Sequence, residues 1–342
     1  MTRSMELSAA LEEYRLHRTS MGYAKETLRN EGIVLRRVLA HIGNILVRNI
    51  KSRHMDEFFL VRSGEVQAST LAHEESVIKA FFIWLEKRRM LGPDGSPVAT
   101  RRRTKVMPKS RQRIPATEFP RMLDLATHPT DRVIFALGIY LLLRQSEIKR
   151  LKVGDVSLPT GTVNVTIEKT KQLDDMPISS ELDEELRRWL TAYSEILGRT
   201  LRPDDVLVPA KTRPALNGRT RGPMSLQPHK PVGHPHEAIK RILVAAGYPI
   251  RDDKTGKSLS EGVHTLRRSA ARAIFDYLRD DGYDGAIKHV QSLLHHSNSA
   301  QTERYLGLTL DIARRDVMVR GKALYPGNQD RGNVVSLTKV GG

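Results

Sequence analysis

A short and strongly basic segment divides this chain into two parts. Residues 101–113, RRRTKVMPKSRQR, hold seven basic side chains and no acidic one, and they follow the turn-rich sequence GPDGSP at 92–97. They carry seven of the seventeen net positive charges of a 342-residue chain, which is long enough for two domains. We therefore predict a helical N-terminal domain over 1–97, a basic interdomain linker over 98–113, a second domain over 114–325 and a loose polar tail over 326–342.

The basic linker has two interpretations. Lysine and arginine displace the counterions that condense on nucleic-acid phosphates, so a segment of this kind is typical of a strap that lies along DNA. Alternatively, it is a solvated linker that is basic by chance. A membrane surface would also attract it, but no adjacent amphipathic helix with a large apolar face offers an anchor. The candidate DNA contacts are Arg101, Arg102, Arg103, Lys105, Lys109, Arg111 and Arg113.

Composition excludes several classes of protein. The chain has no cysteine, which excludes a disulfide scaffold, a cysteine zinc site and a thiol nucleophile. The longest apolar run, 133–143, is too short for a bilayer, and the N-terminus lacks the apolar stretch of a secretory signal. We expect an intracellular protein with no membrane partner. His229, His234 and His236 lack a carboxylate at metal-ligand spacing, so we interpret them as loop histidines and predict no metal site.

Hydrophobic periodicity favours a mainly α-helical fold with a small antiparallel β-sheet. In the first part, a long helix starting near Ser69 would bury Val77, Ile78, Phe81, Trp84 and Leu85 on one face. In the second part, Val163, Val165 and Ile167 alternate with polar residues, which indicates short strands. Helices are predicted near 180–198, 235–247, 264–280, 285–295 and 300–320, whereas 201–234, rich in Pro, Gly and Arg, reads as loop.

Two arginines and a histidine are candidates for chemistry. Arg144 directly follows the apolar run, where a guanidinium is costly unless it is paired or binds phosphate. Glu147 could brace it, and a plain internal Arg144–Glu147 pair is the alternative. His264 and Arg267 share one helical face, which suits an anionic oxygen beside a proton acceptor, although such pairs also occur on solvated faces.

A histidine and a tyrosine near the C-terminus form a further pair. His296 and Tyr305 lie nine residues apart across a Ser-Asn-Ser turn. A tyrosine on a late helix is usually a packing residue. As a nucleophile it needs nearby cations, because the ordinary pKa of a tyrosine is about 10.

Taken in order, these boxes resemble the tyrosine recombinase, or phage integrase, family over about residues 30–325. LLLRQSEIKRLKVGDV is similar to the family's first-arginine box and gives Arg144 with Glu147 in support. EKTKQLDDMPI is similar to its lysine hairpin, giving Lys169 with Lys171 as the alternative. HTLRR matches its His-x-x-Arg motif at His264 and Arg267, and LLHHSNSAQTERY resembles its last box, which gives His296 and Tyr305.

The resemblance implies a fold, a chemistry and partners. The fold would be an N-terminal core-binding (SAM-like) domain and an α-rich catalytic domain that form a C-shaped clamp on double-stranded DNA. Tyr305 would form a 3′-phosphotyrosine, His264 would be the base, Lys169 the acid, and no cofactor would be needed. The partners would be recombination sites, a homotetramer on synapsed DNA and accessory DNA-bending or directionality proteins, in the bacterial cytoplasm at the nucleoid.

The chain departs from the family pattern at a few positions. His295 stands where the family usually has Gly, and Arg268 where a second His often follows the arginine. DYLRDDGYDG at 276–285 would be an enlarged loop, and the N-terminus leaves little room for an arm-site-binding domain. The resemblance favours phage or mobile-element integration. The alternatives are Xer-like chromosome-dimer resolution, a type IB topoisomerase-like activity, or a non-catalytic architectural DNA-binding protein.

Overall fold

In a computed structural model, the chain forms two compact units, Met1–Lys109 and Ser110–Gly342. The division falls inside the basic linker predicted at 98–113. The structure describes residues 5–106, 112–167, 171–212, 215–216, 220–221, 225–252, 256, 258–260 and 262–308.

The described part of the first unit consists of four helices around one hydrophobic core. They are α1 (Leu7–Ser20), α2 (Lys25–Ile42), α3 (Ser52–Glu65) and α4 (Ala68–Lys87). The predicted apolar face of α4, Val77 to Leu85, is buried in this core. The helix begins slightly earlier than predicted, because Gln67 and not Ser69 occupies the N-cap position.

The start of the basic linker packs against this first unit. The carboxylate of Glu75, 1% exposed on α4, accepts hydrogen bonds from Arg101 Nε at 3.0 Å and from the backbone amide and hydroxyl of Thr104, both at 2.8 Å. The Arg101 guanidinium also lies 3.8 Å from the ring centroid of Phe59. Burial raises the pKa of Glu75, but these hydrogen bonds outweigh it and hold the pKa below its ordinary value. Arg101 therefore has a structural role within the first unit.

The second unit is mainly helical with small antiparallel sheets. The apolar helix α6 (Pro129–Tyr140) packs against α8 (Ser180–Leu197), α9 (Pro235–Ala245) and α10 (Val263–Asp280) and forms the centre of the core. In the described part of the chain, no helix combines the length and the apolar character that crossing a membrane requires. The helices are α5 (Phe119–Asp124), α6 (Pro129–Tyr140), α7 (Gln145–Arg150), α8 (Ser180–Leu197), α9 (Pro235–Ala245), α10 (Val263–Asp280), α11 (Ala286–Leu293) and α12 (Ser299–Leu306).

A three-stranded antiparallel sheet of β1 (Val156–Ser157), β2 (Thr162–Thr166) and β3 (Leu173–Pro177) carries the predicted lysine hairpin. Val163 and Val165 point into the core as the alternation predicts, and Val165 pairs with Asp174 across the β2–β3 ladder. The backbone amide of Lys171, at φ +58°, donates to the carbonyl of Ile167 at 2.8 Å, and the Lys171 side chain is exposed. Lys169 lies outside the described residues.

Two predictions of loop were wrong. Within 201–234, β4 (Pro209–Thr212) pairs with β7 (Ser225–Pro231), and β5 (Ala215–Leu216) pairs with β6 (Thr220–Arg221). Pro228 and Pro231 in β7 made a strand difficult to predict, because proline is not expected in a central strand. A two-stranded ribbon tolerates these prolines. The predicted loop at 276–285 was also partly wrong, because α10 continues to Asp280.

Candidate active site

Arg144 begins a helix instead of ending one. The apolar helix stops at Tyr140, the backbone turns at Leu142 with φ +51°, and Arg144 then occupies the N-cap position of α7. Its backbone amide donates to Glu147 Oε2 at 2.7 Å, and its guanidinium Nη1 donates to Glu147 Oε1 at 2.8 Å. The first turn of α7 thus fixes the direction of the Arg144 side chain.

Arg267 comes from the first turns of α10. This helix is preceded by Gly262, whose φ of +60° suits glycine and where an added Cβ would lie 2.4 Å from the Cβ of His236. The glycine therefore lets α10 start close to α9. The Arg267 side chain is 2% exposed, so it reaches the site from within the core.

The two guanidinium groups meet at one backbone oxygen. Nη2 of Arg144 and Nη2 of Arg267 donate to the carbonyl of Leu294, at 3.1 Å and 2.7 Å. Leu294 caps the C-terminus of α11, where carbonyls carry a partial negative charge. Glu147 Oε2 lies 3.9 Å from Arg267 Nη1, so one carboxylate serves both arginines.

The electrostatics of this pair favour an anion. Burial, and then the charge of Arg144, lower the pKa of Arg267 to about 10, so that Arg267 still carries its charge at neutral pH. Burial raises the pKa of Glu147, but the hydrogen bonds and charges of the arginines outweigh it and keep the pKa below its ordinary value. Two cations face one carboxylate, and the remaining positive charge suits a phosphate.

Tyr305 brings its hydroxyl to Arg267. Its helix, α12, is capped by Asn298, whose side chain accepts from the amide of Gln301 at 2.9 Å. The Tyr305 hydroxyl lies beside the Arg267 guanidinium, which interacts with it electrostatically, and it lies 3.5 Å from the backbone carbonyl of His264. The phenol and a buried guanidinium thus meet although they are far apart in the sequence.

The ring of Tyr305 is held by two further side chains. The imidazole of His296 meets it edge-on, with centroids 5.4 Å apart at 84°, and His296 Nδ1 lies 3.1 Å from the hydroxyl of the buried Thr302. On another side, the guanidinium of Arg268 lies 5.6 Å from the ring centroid. Arg268 is buried, so α10 presents two adjacent arginines to Tyr305.

The structure places the site residues predicted from the sequence in different surroundings. The structure brings together Arg144, Glu147, Arg267, His296 and Tyr305, while the side chain of His264 is exposed at the start of α10. In the linker, Arg101 and Arg113 bind other parts of the chain, since Arg113 Nη2 donates to the carbonyl of Leu306 at 2.6 Å. Arg102, Arg103 and Lys105 are exposed, and Lys109 and Arg111, like Lys169, lie outside the described residues.

Sequence reasoning treated His295 only as a departure from a glycine, and the structure gives it a contact. Its backbone adopts φ +49°, and its Nε2 lies 3.5 Å from Asp174 Oδ2 on β3. Burial, and less strongly Arg267 and Arg144, lower the pKa of His295 against the opposing effect of Asp174 and Glu147. The unusual residue at a glycine position was the signal that could have found this contact.

The other missed participants are Arg268, Thr302 and the carbonyl of Leu294. Thr302 lies one turn before Tyr305 on the same helix, and this spacing was a usable signal. A backbone acceptor such as the Leu294 carbonyl has no sequence signature. In the described part of the chain, no group of three or more His, Asp or Glu side chains is placed to hold a metal ion.

Comparisons with known proteins agree on one family. The sequence profile of the phage integrase family matches residues 112–310. A tyrosine recombinase XerC from Mycobacterium sp. (strain KMS) is 29% identical over 255 residues, which cover 71% of this chain and 73% of the relative. A lambda integrase dimer bound to a COC′ core site has 18% identity and a TM-score of 0.65, covering 89% of this chain and 78% of that one. A lambda integrase tetramer bound to a Holliday junction has 18% identity and a TM-score of 0.60, covering 86% and 79%.

Proposed function

Because this chain belongs to the phage integrase family of tyrosine recombinases, which are DNA strand-transferring enzymes, we propose that it cleaves and rejoins DNA at specific sites through a 3′-phosphotyrosine intermediate. One observation carries the proposal: the hydroxyl of Tyr305 lies beside the guanidinium of Arg267, which shares the Leu294 carbonyl with Arg144. A nucleophile and a phosphate-binding pair therefore occupy one pocket.

The arginine pair stabilises the charge that develops at phosphorus. When the Tyr305 oxygen attacks a phosphodiester, negative charge grows on the two non-bridging oxygens. Arg144 and Arg267 would hold these oxygens, and His296 would give a third hydrogen bond. Each preorganised donor of this kind contributes about 10²–10³ in rate.

The proton transfers complete the step. The Tyr305 oxygen forms a bond to phosphorus while the bond from phosphorus to the 5′-oxygen breaks. His264 takes the phenolic proton, and Lys169 gives a proton to the departing 5′-oxygen. The phosphotyrosine keeps the energy of the broken bond, so the 5′-hydroxyl of another strand can attack it and rejoin the DNA with the same groups in reverse.

The assembly follows from the similarity to lambda integrase. We propose that the two domains clamp double-stranded DNA and that four copies assemble on two synapsed sites, as the tetramer on a Holliday junction suggests. The protein would act on the nucleoid in a bacterial cytoplasm, with accessory DNA-bending or directionality proteins where the reaction needs a direction.

The biological role has two candidates. Phage or mobile-element integration is the first. Chromosome-dimer resolution is the second, because the relative at 29% identity is a XerC recombinase. A plasmid with two copies of the site separates strand exchange from a topoisomerase-like activity: exchange gives deletion or inversion products, whereas resealing on one duplex only relaxes the plasmid.

The proposal is tested by capture of the covalent intermediate. Sheared DNA from the genome that encodes this chain is incubated with the protein, and the retained fragments supply the site. A duplex of this site, nicked so that the strand piece with the free 5′-hydroxyl diffuses away, is then incubated without divalent metal. We expect a detergent-resistant adduct whose phosphopeptide contains Tyr305. Specific binding without an adduct would instead indicate an architectural protein.

The exposed basic residues of the linker are predicted to contact phosphates. Replacing Arg102, Arg103 and Lys105 together by Gln should weaken binding to all DNA sequences alike. It should also reduce the magnitude of the slope of log affinity against log salt concentration by up to about three. Titrations at several salt concentrations measure this slope. Arg187→Gln, on the exposed face of α8, is the matched control, and an unchanged slope in the triple variant would remove the linker from the DNA interface.

Lys169 is predicted to be the general acid. Lys169→Ala should slow cleavage by about 10²–10⁴ on ordinary DNA, and a substrate with sulfur in place of the bridging 5′-oxygen should restore the rate, because a thiolate leaves without a proton. Single-turnover cleavage of both substrates measures the rescue. If Lys171→Ala and not Lys169→Ala is rescued, Lys171 is the acid. If neither is rescued, the acid lies outside this hairpin.

A further inference from the structure

We propose that Arg113 and Arg272 are positioning residues that hold the end of the helix carrying Tyr305. Arg113, at the end of the basic linker, would then help to position Tyr305 and would not contribute to the affinity for DNA. This inference rests on the proposed role of Tyr305 as the nucleophile. It adds two residues to the proposed catalytic residues, which are Arg144, Lys169, His264, Arg267, His296 and Tyr305.

Two guanidinium groups meet at the carbonyl of Leu306. Arg113 Nη2 donates to this oxygen at 2.6 Å and Arg272 Nη1 donates at 3.1 Å. Leu306 directly follows Tyr305 and is the last residue of α12. Carbonyls at a helix C-terminus lack intrahelical partners and carry partial negative charge, so cations placed there stabilise the helix end.

Both arginines are anchored to α10. Arg272 lies on this helix and its Nε donates to Asp276 Oδ2 at 2.7 Å. Next to Arg113, the buried Ile114 donates its backbone amide to the hydroxyl of Ser269, also on α10, at 2.9 Å. The helix that supplies Arg267 therefore also fixes the two groups that hold the end of α12.

Gly307 leaves room for the Arg113 guanidinium beside the end of α12. Gly307 follows α12 with φ +67°, and a Cβ built on it would lie 2.0 Å from Arg113 Nη2. The guanidinium thus occupies space that any other residue would fill. The glycine both ends the helix and admits the arginine.

The position of α12 depends on such contacts because the helix is short. Eight residues do not make a stable helix in water on their own. One end is held by the Asn298 cap and by the His296–Thr302 contact, and the other by Arg113 and Arg272. Releasing the second end would move the Tyr305 hydroxyl away from Arg267, and a misplacement of about 1 Å can reduce a rate about 10²-fold.

The test separates the rate of cleavage from the affinity for DNA. Arg113→Gln and Arg272→Gln are compared with the wild type for single-turnover cleavage at saturating nicked duplex, and for affinity at several salt concentrations. We expect cleavage to fall about 10–100-fold while the affinity and its salt slope stay as in the wild type. Arg272→Lys, which keeps a cationic donor, should recover most of the rate.

Two further variants keep the test decisive if either Gln variant folds poorly. Gly307→Ala keeps both arginine residues in the chain, but it displaces the Arg113 guanidinium and strains the backbone at φ +67° directly after Leu306, and it should lower the cleavage rate without changing the salt slope. Arg279→Gln removes an arginine from the same helix that ion-pairs with the same Asp276, and it should leave rate and affinity unchanged. Thermal melting of each variant verifies its fold.

The possible failures are distinguishable. If the wild-type protein forms no adduct, the proposed function fails. If the wild type cleaves and the Arg113, Arg272 and Gly307 variants cleave at the same rate, the inference fails and the proposed function stands. A flatter salt slope in Arg113→Gln with an unchanged rate at saturation would assign Arg113 to phosphate binding and also overturn the inference.

Discussion

Tyr305→Phe is expected to abolish the covalent protein–DNA adduct while leaving DNA binding intact. The substitution removes one oxygen and keeps the ring between His296 and Arg268. Without that oxygen no bond to phosphorus can form, and we expect the cleavage rate to fall at least about 10⁴-fold, as it does when other enzymes lose their nucleophile. Denaturing gels of the nicked duplex measure the adduct, and mobility-shift titrations measure the binding.

The controls for this variant are two exposed tyrosines of the same unit. Tyr277 and Tyr283 are 70% and 50% exposed, and their Phe variants should form the adduct at the wild-type rate. An adduct that persists in Tyr305→Phe would assign the nucleophile to another residue, and the phosphopeptide would identify it.

The family and the fold were easier to predict from the sequence than the contacts of the candidate site. The recombinase resemblance and the mainly helical fold with a small sheet were confirmed. The contacts between Arg267, Tyr305 and His296 follow from no spacing rule, because α10, α12 and the turn between α11 and α12 converge. The roles of His264 and Lys169 stay predictions.

The contacts that could not be predicted from the sequence involve backbone carbonyl groups. Arg144 and Arg267 meet at the Leu294 carbonyl, 150 and 27 residues away, and every residue carries a carbonyl, so none is distinctive in a sequence. The same holds for the Leu306 carbonyl that accepts from Arg113. From the charge of the linker, all of its basic residues were predicted to contact DNA. Charge patterning shows where the cations lie in the sequence, but it does not show which acceptors within the protein already bind them.

Arg101 shows this limit within the linker. Its charge counts toward the basic segment, yet Glu75 and the ring of Phe59 hold it in the first unit. Glu75 lies on the buried face of α4, where a carboxylate is costly unless it is paired. An acidic residue on an apolar helical face was the signal that some nearby cation would be used internally.

Glu147→Ala is expected to destabilise the protein strongly. The side chain is 1% exposed and is the carboxylate that pairs with Arg144 and lies next to Arg267. Removing it leaves the partly buried Arg144 and the buried Arg267 without a counter-charge, and the amide of Arg144 without its acceptor, which costs about 3–5 kcal/mol in comparable buried pairs. Urea unfolding followed by circular dichroism measures the loss.

The matched control and a rescue make this prediction specific to the arginine pair. Glu184→Ala removes an exposed carboxylate on α8 and should change the free energy of unfolding by no more than about 0.5 kcal/mol. If uncompensated arginines are the cause, inorganic phosphate should raise the stability of Glu147→Ala more than that of the wild type, because an anion that binds only the folded pocket stabilises it by mass action. Equal stability of the two Ala variants would contradict the role of Glu147, and a loss that phosphate does not relieve would point to the lost helix cap instead of the charges.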